Sequence, residues 1–204
     1  MPHRHIKFLN GSYYHFYNRG VNHSDIFIER ENYHYLLRLI KKNFLKHRIS
    51  MIAYCLMPNH YHLFVRPETD DSLSTCLKAV FISYVQAFNK QYGRSGPLFE
   101  GRFRSILVGE LFYMLHLYRY IHLNPVVTGL VDSPEQWEFS NYREWIGLRN
   151  GQLVDREFVS KHFKSPEQYK EFIRANVVLE RDKSKWKRYI FPEAGSFRED
   201  DNAT

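Results

Sequence analysis

Apolar residues recur along the chain with two periods, and each change of period marks an element. Tyr13-Tyr14-His15-Phe16-Tyr17-Asn18-Arg19-Gly20-Val21 is dense in aromatic side chains and closes on glycine, which predicts a first strand. From Glu29 to His47, Tyr33, Leu36, Leu37, Ile40, Phe44 and Leu45 form a helical stripe opposite lysines and arginines. Ser50 to Met57 is an apolar run suited to a buried strand. Pro58-Asn59 breaks it, and His60 to Val65 resumes as a strand ending at Pro67, so the two form an antiparallel hairpin. Ser72 opens a second helix, with Ser72 or Asp71 as its N-cap, and Leu73, Leu77, Val80, Phe81, Tyr84, Val85 and Phe88 carry it to Gly93. After the loop Arg94-Ser95-Gly96-Pro97, Leu98 to Val108 reads as a strand with an irregularity at Gly101. A third helix runs from Glu110 to Asn124, where Pro125 disfavours helical geometry at its predecessor. The order β-α-β-β-α-β-α predicts an α+β fold with a ferredoxin-like antiparallel sheet and helices packed on it.

The remainder of the chain adds an aperiodic stretch through Trp137, Tyr142 and Trp145, then short helices near Asp155 to Phe163 and Pro166 to Glu180. The organisation expected is one domain over residues 1–149 and a helical, basic-aromatic C-terminal extension over 150–204, whose Lys183-Ser184-Lys185-Trp186-Lys187-Arg188-Tyr189 interleaves charge with rings. An acidic cluster, Glu199-Asp200-Asp201, is expected to fray. Hydrophobic content of 44% and aromatic content of 17% exclude a disordered chain. The net charge of +7 suits a polyanionic partner. From Asn150 onward basic and acidic residues number 11 and 10, so the first 149 residues hold +6 of it. Cys55 and Cys76 show no metal-type spacing and sit in apolar segments, as reduced, buried thiols of a cytosolic protein would. With no apolar leader and no apolar run approaching the roughly 18 residues of a membrane span, the expectation is a soluble, cytoplasmic protein.

The chemistry concentrates at two places. His60 and His62 lie two apart on a predicted strand, so both imidazoles share one face. Among 11 histidines that spacing arises by chance, and His3-Arg4-His5 repeats it near the start of the chain. Strand context, flanked by apolar runs, separates the pair from that copy, since two neighbouring imidazoles there need a metal, an anion or hydrogen-bond partners; two structural core histidines are the competing reading. On the third helix Tyr120 and Asn124 are one turn apart, and His116 precedes them on the same face. Tyr113, Tyr118 and Tyr84 compete with Tyr120 as packing or functional tyrosines, and Asn124 also suits a helix C-terminus before proline. His122 points elsewhere and reads as structural.

Met57-Pro58-Asn59-His60-Tyr61-His62-Leu63, Gly101-Arg102-Phe103 and Tyr120-Ile121-His122-Leu123-Asn124-Pro125-Val126 resemble, in order, the signature blocks of HUH single-tyrosine transposases. Among these the chain most resembles the REP-associated tyrosine transposases, over roughly residues 12 to 147. The resemblance implies that His60, His62 and Asn124 hold a divalent metal, Mg2+ or Mn2+, and that Tyr120 is the nucleophile. It also implies nicking and strand transfer of single-stranded DNA through a 5′-phosphotyrosine at hairpin-forming palindromes, by a monomer or a homodimer. The middle residue of the HUH triplet is usually aliphatic; the bulkier Tyr61 should point away from the metal. A free phenol titrates near about 10, so nucleophilic attack at neutral pH needs charge stabilisation at the phosphate. Two imidazoles alone would equally accept zinc. Arg19, Arg102 and Arg104, beside aromatic residues, suit phosphate contacts on single-stranded or hairpin DNA; ordinary surface charge is the alternative. Two other functions share these residues. One is a replication initiator or relaxase with the same chemistry, the other a nucleic-acid-binding regulator that keeps the fold without catalysis.

Overall fold

The computed structural model describes residues 7–70 and 72–175. In chain order they form β1 (Tyr13–Arg19), α1 (Arg30–His47), β2 (Ile49–Met57), β3 (His60–Pro67), α2 (Ser72–Gln91), β4 (Arg104–Val108), α3 (Leu111–Val127), α4 (Tyr142–Trp145), α5 (Arg156–His162) and α6 (Pro166–Arg174). Short 3-10 turns occupy Val21–His23 and Pro134–Gln136. The strands make one sheet in the order β2-β3-β1-β4, each neighbouring pair antiparallel. This is the α+β, ferredoxin-like arrangement the periodicity predicted. Among the described residues no helix is long and apolar enough to cross a membrane.

Alternation along β1 and β3, the two central strands, gives the sheet unlike faces. Phe16, Tyr61, Leu63 and Val65 point into a core shared with Leu36 and Ile40 of α1 and Leu77, Val80 and Tyr84 of α2. The opposite face presents Ala53, Cys55 and Phe64 to Leu117, Tyr118 and Ile121 of α3, and Trp145, Phe158, Phe163 and Tyr169 complete this second core. A bulge between Met51 and Ala53 puts Ile52 and Ala53 into the second core in succession, while Met51 stays in the first. Tyr61 lies in the first core, stacked on Phe81 at 4.6 Å and 15°, so its bulk does point away from the histidine face. Both cysteines are buried and free, and burial pushes both thiols up.

Two expected boundaries differ. The strand predicted over 98–108 is regular only from Arg104. Upstream, Phe99 makes an isolated bridge with Gly20, the Glu100 amide donates to the Arg19 carbonyl, and the chain bends at Gly101, whose carbonyl accepts from Asn18. Phe103 uses the bend to reach Phe16 in the first core. The helix predicted to stop at Asn124 instead runs through Pro125 to Val127. Proline removes the bond its N–H would make to the Ile121 carbonyl, yet the helix continues, and at its end the Thr128 amide and hydroxyl both donate to the Asn124 carbonyl, at 3.0 and 2.9 Å. Gly129, at φ +75°, then turns the chain back so that its own amide and that of Leu130 cap the last carbonyls. Ser72 is the first residue of α2 and its hydroxyl donates to the Thr69 carbonyl; Asp71 lies outside the described residues, as do His3-Arg4-His5, the Lys183–Tyr189 run and the Glu199–Asp201 cluster.

His122 ties the second core together. Asn141 donates through Nδ2 to the carbonyls of Ile52 and Leu153 and accepts the Tyr54 amide on Oδ1, which fixes its orientation. His122 Nε2–H therefore donates to Asn141 Oδ1 at 2.9 Å, and its Nδ1 accepts the Tyr169 hydroxyl at 2.5 Å. Each imidazole nitrogen has a partner of complementary type, the condition for a structural histidine. Burial lowers its pKa from 6.5 to about 4, so folding excludes a proton that the unfolded chain would bind. Stability from this site is thus complete above about pH 6.5 and lost as the pH falls toward 4. His122→Leu should lower unfolding free energy by about 1–3 kcal/mol through the orphaned Tyr169 and Asn141 groups. In denaturant titrations the variant should also lose less stability than the parent between pH 7 and 5.

Candidate active site

β3 and α3 build the site. Period two on β3 turns His60 and His62 to the α3 face, their ring centroids 5.2 Å apart. On α3, Tyr120 and Asn124 stand one turn apart and meet one imidazole each. The Tyr120 hydroxyl lies 3.4 Å from His62 Nε2, and Asn124 Oδ1 lies 3.3 Å from His60 Nε2. All four side chains are buried and come from a single chain.

The polarity at His60 is unlike that at His122. Asn59 donates through Nδ2 to the His23 carbonyl, so its Oδ1 is the atom 2.7 Å from His60 Nδ1. His60 thus faces a carboxamide oxygen on each nitrogen. Desolvation lowers its pKa from 6.5 to about 4, helped by the nearby Arg19 charge and opposed by Asn124, so at neutral pH the ring carries one N–H for two acceptors. The shorter contact takes the proton, and the Nε2 lone pair is left facing the Asn124 oxygen. In that tautomer the His60 Nε2 lone pair and the Asn124 oxygen, 3.3 Å apart, are two donors that a cation could use. His62, held well below the usual histidine range by burial, with smaller contributions from His60 and His15, is likewise neutral and able to ligate. No group of three or more His, Cys, Asp or Glu side chains placed to hold a metal ion together is found among the described residues, so the carboxamide of Asn124 is the third donor available to an ion at this place. Nitrogen and oxygen donors of this mixture fit magnesium, manganese or zinc.

Two of the three rival tyrosines are placed elsewhere. Tyr84 donates its hydroxyl to the Ile26 carbonyl in the first core, and Tyr118 is buried against Trp145. His116, expected on the Tyr120 face, hydrogen-bonds Arg119 and packs on Phe112. Of the three arginines, two flank the histidines: Arg19 is opposite His60 in the β1–β3 register, and Arg104 is opposite Tyr17, which is opposite His62. Arg19 is held bidentate by Glu100 at 3.0 Å for both bonds. Arg104 hydrogen-bonds Tyr17, whose pKa is raised by burial against the opposing pull of that guanidinium. Arg102 is exposed in the bend before β4.

Two residues at the site went unremarked in the sequence. Asn59 was read only as part of a strand break. His15 sits on β1 on the same face as the histidine pair, with its Nε2 3.0 Å from His62 Nδ1. Alternation of His15 and Tyr17 along β1 was a visible signal, but the partner it serves is 47 residues away.

A family model described as IS200-like transposase matches residues 9–124, which include His60, His62, Tyr120 and Asn124. A curated REP-associated tyrosine transposase from Haemophilus influenzae is 30% identical over 101 residues, covering 45% of this chain and 57% of the relative. The chain therefore spans little more than half the length of that relative. A solved REP-associated tyrosine transposase, bound to a REP hairpin, shares 20% identity and superposes with a TM-score of 0.58 over 76% of this chain and 98% of the other. At that identity the likeness is one of fold. With more than half its length matched by the family model and the tyrosine helix laid across the histidine strand, the chain belongs to the IS200-like transposase family.

Proposed function

We propose that the chain nicks and rejoins single-stranded DNA beside hairpin-forming palindromes, with Tyr120 as the nucleophile and a divalent ion, Mg2+ or Mn2+, held by His60, His62 and Asn124. The observation that carries this reading is the Tyr120 hydroxyl 3.4 Å from His62 Nε2, with Asn124 Oδ1 3.3 Å from His60 Nε2 on the same face. A structural histidine pair has no reason to be arranged so; His122 shows what such a histidine does in this same fold. An ion bound there would polarise the scissile phosphate and offset its developing charge. Tyr120 forms the new bond from its oxygen to phosphorus as the bond to the 3′-oxygen breaks, and the phenol proton is balanced by the one that the leaving 3′-hydroxyl takes up. The 5′-phosphotyrosine keeps the energy of the broken diester, so a later 3′-hydroxyl can reverse the step and join strands. Arg19 and Arg104, on the same sheet face as the histidines, supply positive charge along the path of the backbone. Hairpin DNA as the substrate follows the solved relative, which was bound to a REP hairpin.

Incubation with a labelled hairpin oligonucleotide and Mn2+ should give a covalent protein–DNA adduct visible on a denaturing gel. Tyr120→Phe should lower its yield by on the order of 10³-fold or more while hairpin binding persists. Binding by the parent chain without any adduct would make it a regulator instead. Chelation by EDTA should abolish the adduct, and His60→Ala should raise the Mn2+ concentration for half-maximal yield by about 10–100-fold or more. Arg104→Ala should weaken hairpin binding across sequences alike and reduce the slope of log K against log salt by about 1.

A further inference from the structure

β1 brings a third histidine into the site. His15 is fully buried, its ring nearly parallel to those of His62 (21°, centroids 5.2 Å) and Tyr17 (27°, 5.1 Å). Its Nε2 is 3.0 Å from His62 Nδ1, whereas its own Nδ1 is buried without a hydrogen-bond partner. The cross-strand neighbours of His15 are Phe64 and Ile106. Phenylalanine or leucine would pack among them without burying an unpaired nitrogen, so packing does not account for a histidine here.

We infer that His15 is a positioning residue that accepts the Nδ1 proton of His62 on its own Nε2 and so holds the His62 Nε2 lone pair toward Tyr120 and the metal position. The inference rests on the metal reading above. A neutral imidazole can ligate through Nε2 only when its proton sits on Nδ1, and a group that accepts that proton fixes both the tautomer and the ring's rotation. Asn59 does this for His60 with a carboxamide oxygen, which can only accept. His15 does it for His62 with a ring nitrogen, and the small 21° angle between the two rings puts that nitrogen near the His62 ring plane, where the Nδ1 proton lies. The pair of imidazoles therefore has a pair of outer acceptors, one from the turn before β3 and one from β1. The unpaired His15 Nδ1–H is what this arrangement costs in stability.

Titration of the full chain with Mn2+, followed by the electron paramagnetic resonance of the free ion, tests this without catalysis. His15→Phe keeps a stacked ring and removes the acceptor; its Mn2+ dissociation constant should rise about 10–100-fold with no fall in melting temperature. His15→Gln, which returns an acceptor near the Nε2 position, should recover most of the affinity. Nitrogen-15 spectra of the Mg2+-loaded parent chain should find the His62 proton on Nδ1. Wild-type Mn2+ affinity in a folded His15→Phe chain, or a proton on Nε2 of His62 in the loaded protein, overturns the inference and leaves the metal reading intact. A parent chain that takes up no Mn2+ fails before any substitution and overturns both.

Discussion

The antiparallel pairing of β1 with β3 is the constraint from which the rest follows. Placing Tyr17 opposite His62 and Arg19 opposite His60 turns every second residue of both strands to α3 and leaves the others to the aromatic core under α1 and α2. A slip of one residue would drive the histidines into that core and bring Tyr61 and Leu63 out beneath the tyrosine helix. Register here is strongly specified because each face has so much to lose. Tyr61, stacked on Phe81 and edge-on to Phe99, on one side, and Phe64 with Cys55 against α3 on the other, hold the same strand from both directions.

Burial then sets the electrical state of the site. His15, His60 and His62 are all displaced toward the neutral form, His15 to about 3 and His60 to about 4, mainly because water is excluded. Neutral rings with their lone pairs organised are what a cation requires, whereas exposed histidines would spend part of their time protonated at the same pH. Desolvation is usually counted against a polar cluster. At this sheet face it supplies the right protonation state, and partners of fixed polarity, Asn59 above all, decide which nitrogen keeps the hydrogen.

Most of the fold was legible because its signals are local. Aromatic density identified β1, the run broken at Pro58-Asn59 identified β2 and β3, the stripes from Tyr33 to Leu45 and from Leu73 to Phe88 identified α1 and α2, and together they gave the ferredoxin-like plan. The juxtaposition of Tyr120 and Asn124 with His60 and His62 was expected from the sequence, through resemblance as well as spacing, and the coordinates bring the four together. What escaped depends on distant parts of the chain. Pro125 looks like a helix end because the proline penalty is local, while the buried packing of α3 carries the helix past it to the cap at Thr128 and Gly129. Leu98 to Phe103 looks like the start of a strand because Leu98, Phe99 and Phe103 lead into the run ending at Val108, yet Phe103 packs on Phe16 of the core and the backbone bends to deliver it. His15 looks like one more ring in an aromatic strand until β3 is laid beside it.

The gathering of phenol, carboxamide and both imidazoles within one polypeptide has a genetic corollary. Where a catalytic centre is split between subunits, two differently damaged alleles can complement each other, because a mixed pair still contains one sound set of side chains. If Tyr120 acts on the histidines of its own chain, a chain lacking the phenol and a chain lacking an imidazole have nothing to lend one another. Lesions at Tyr120 and at His60 should therefore fall into a single non-complementing class.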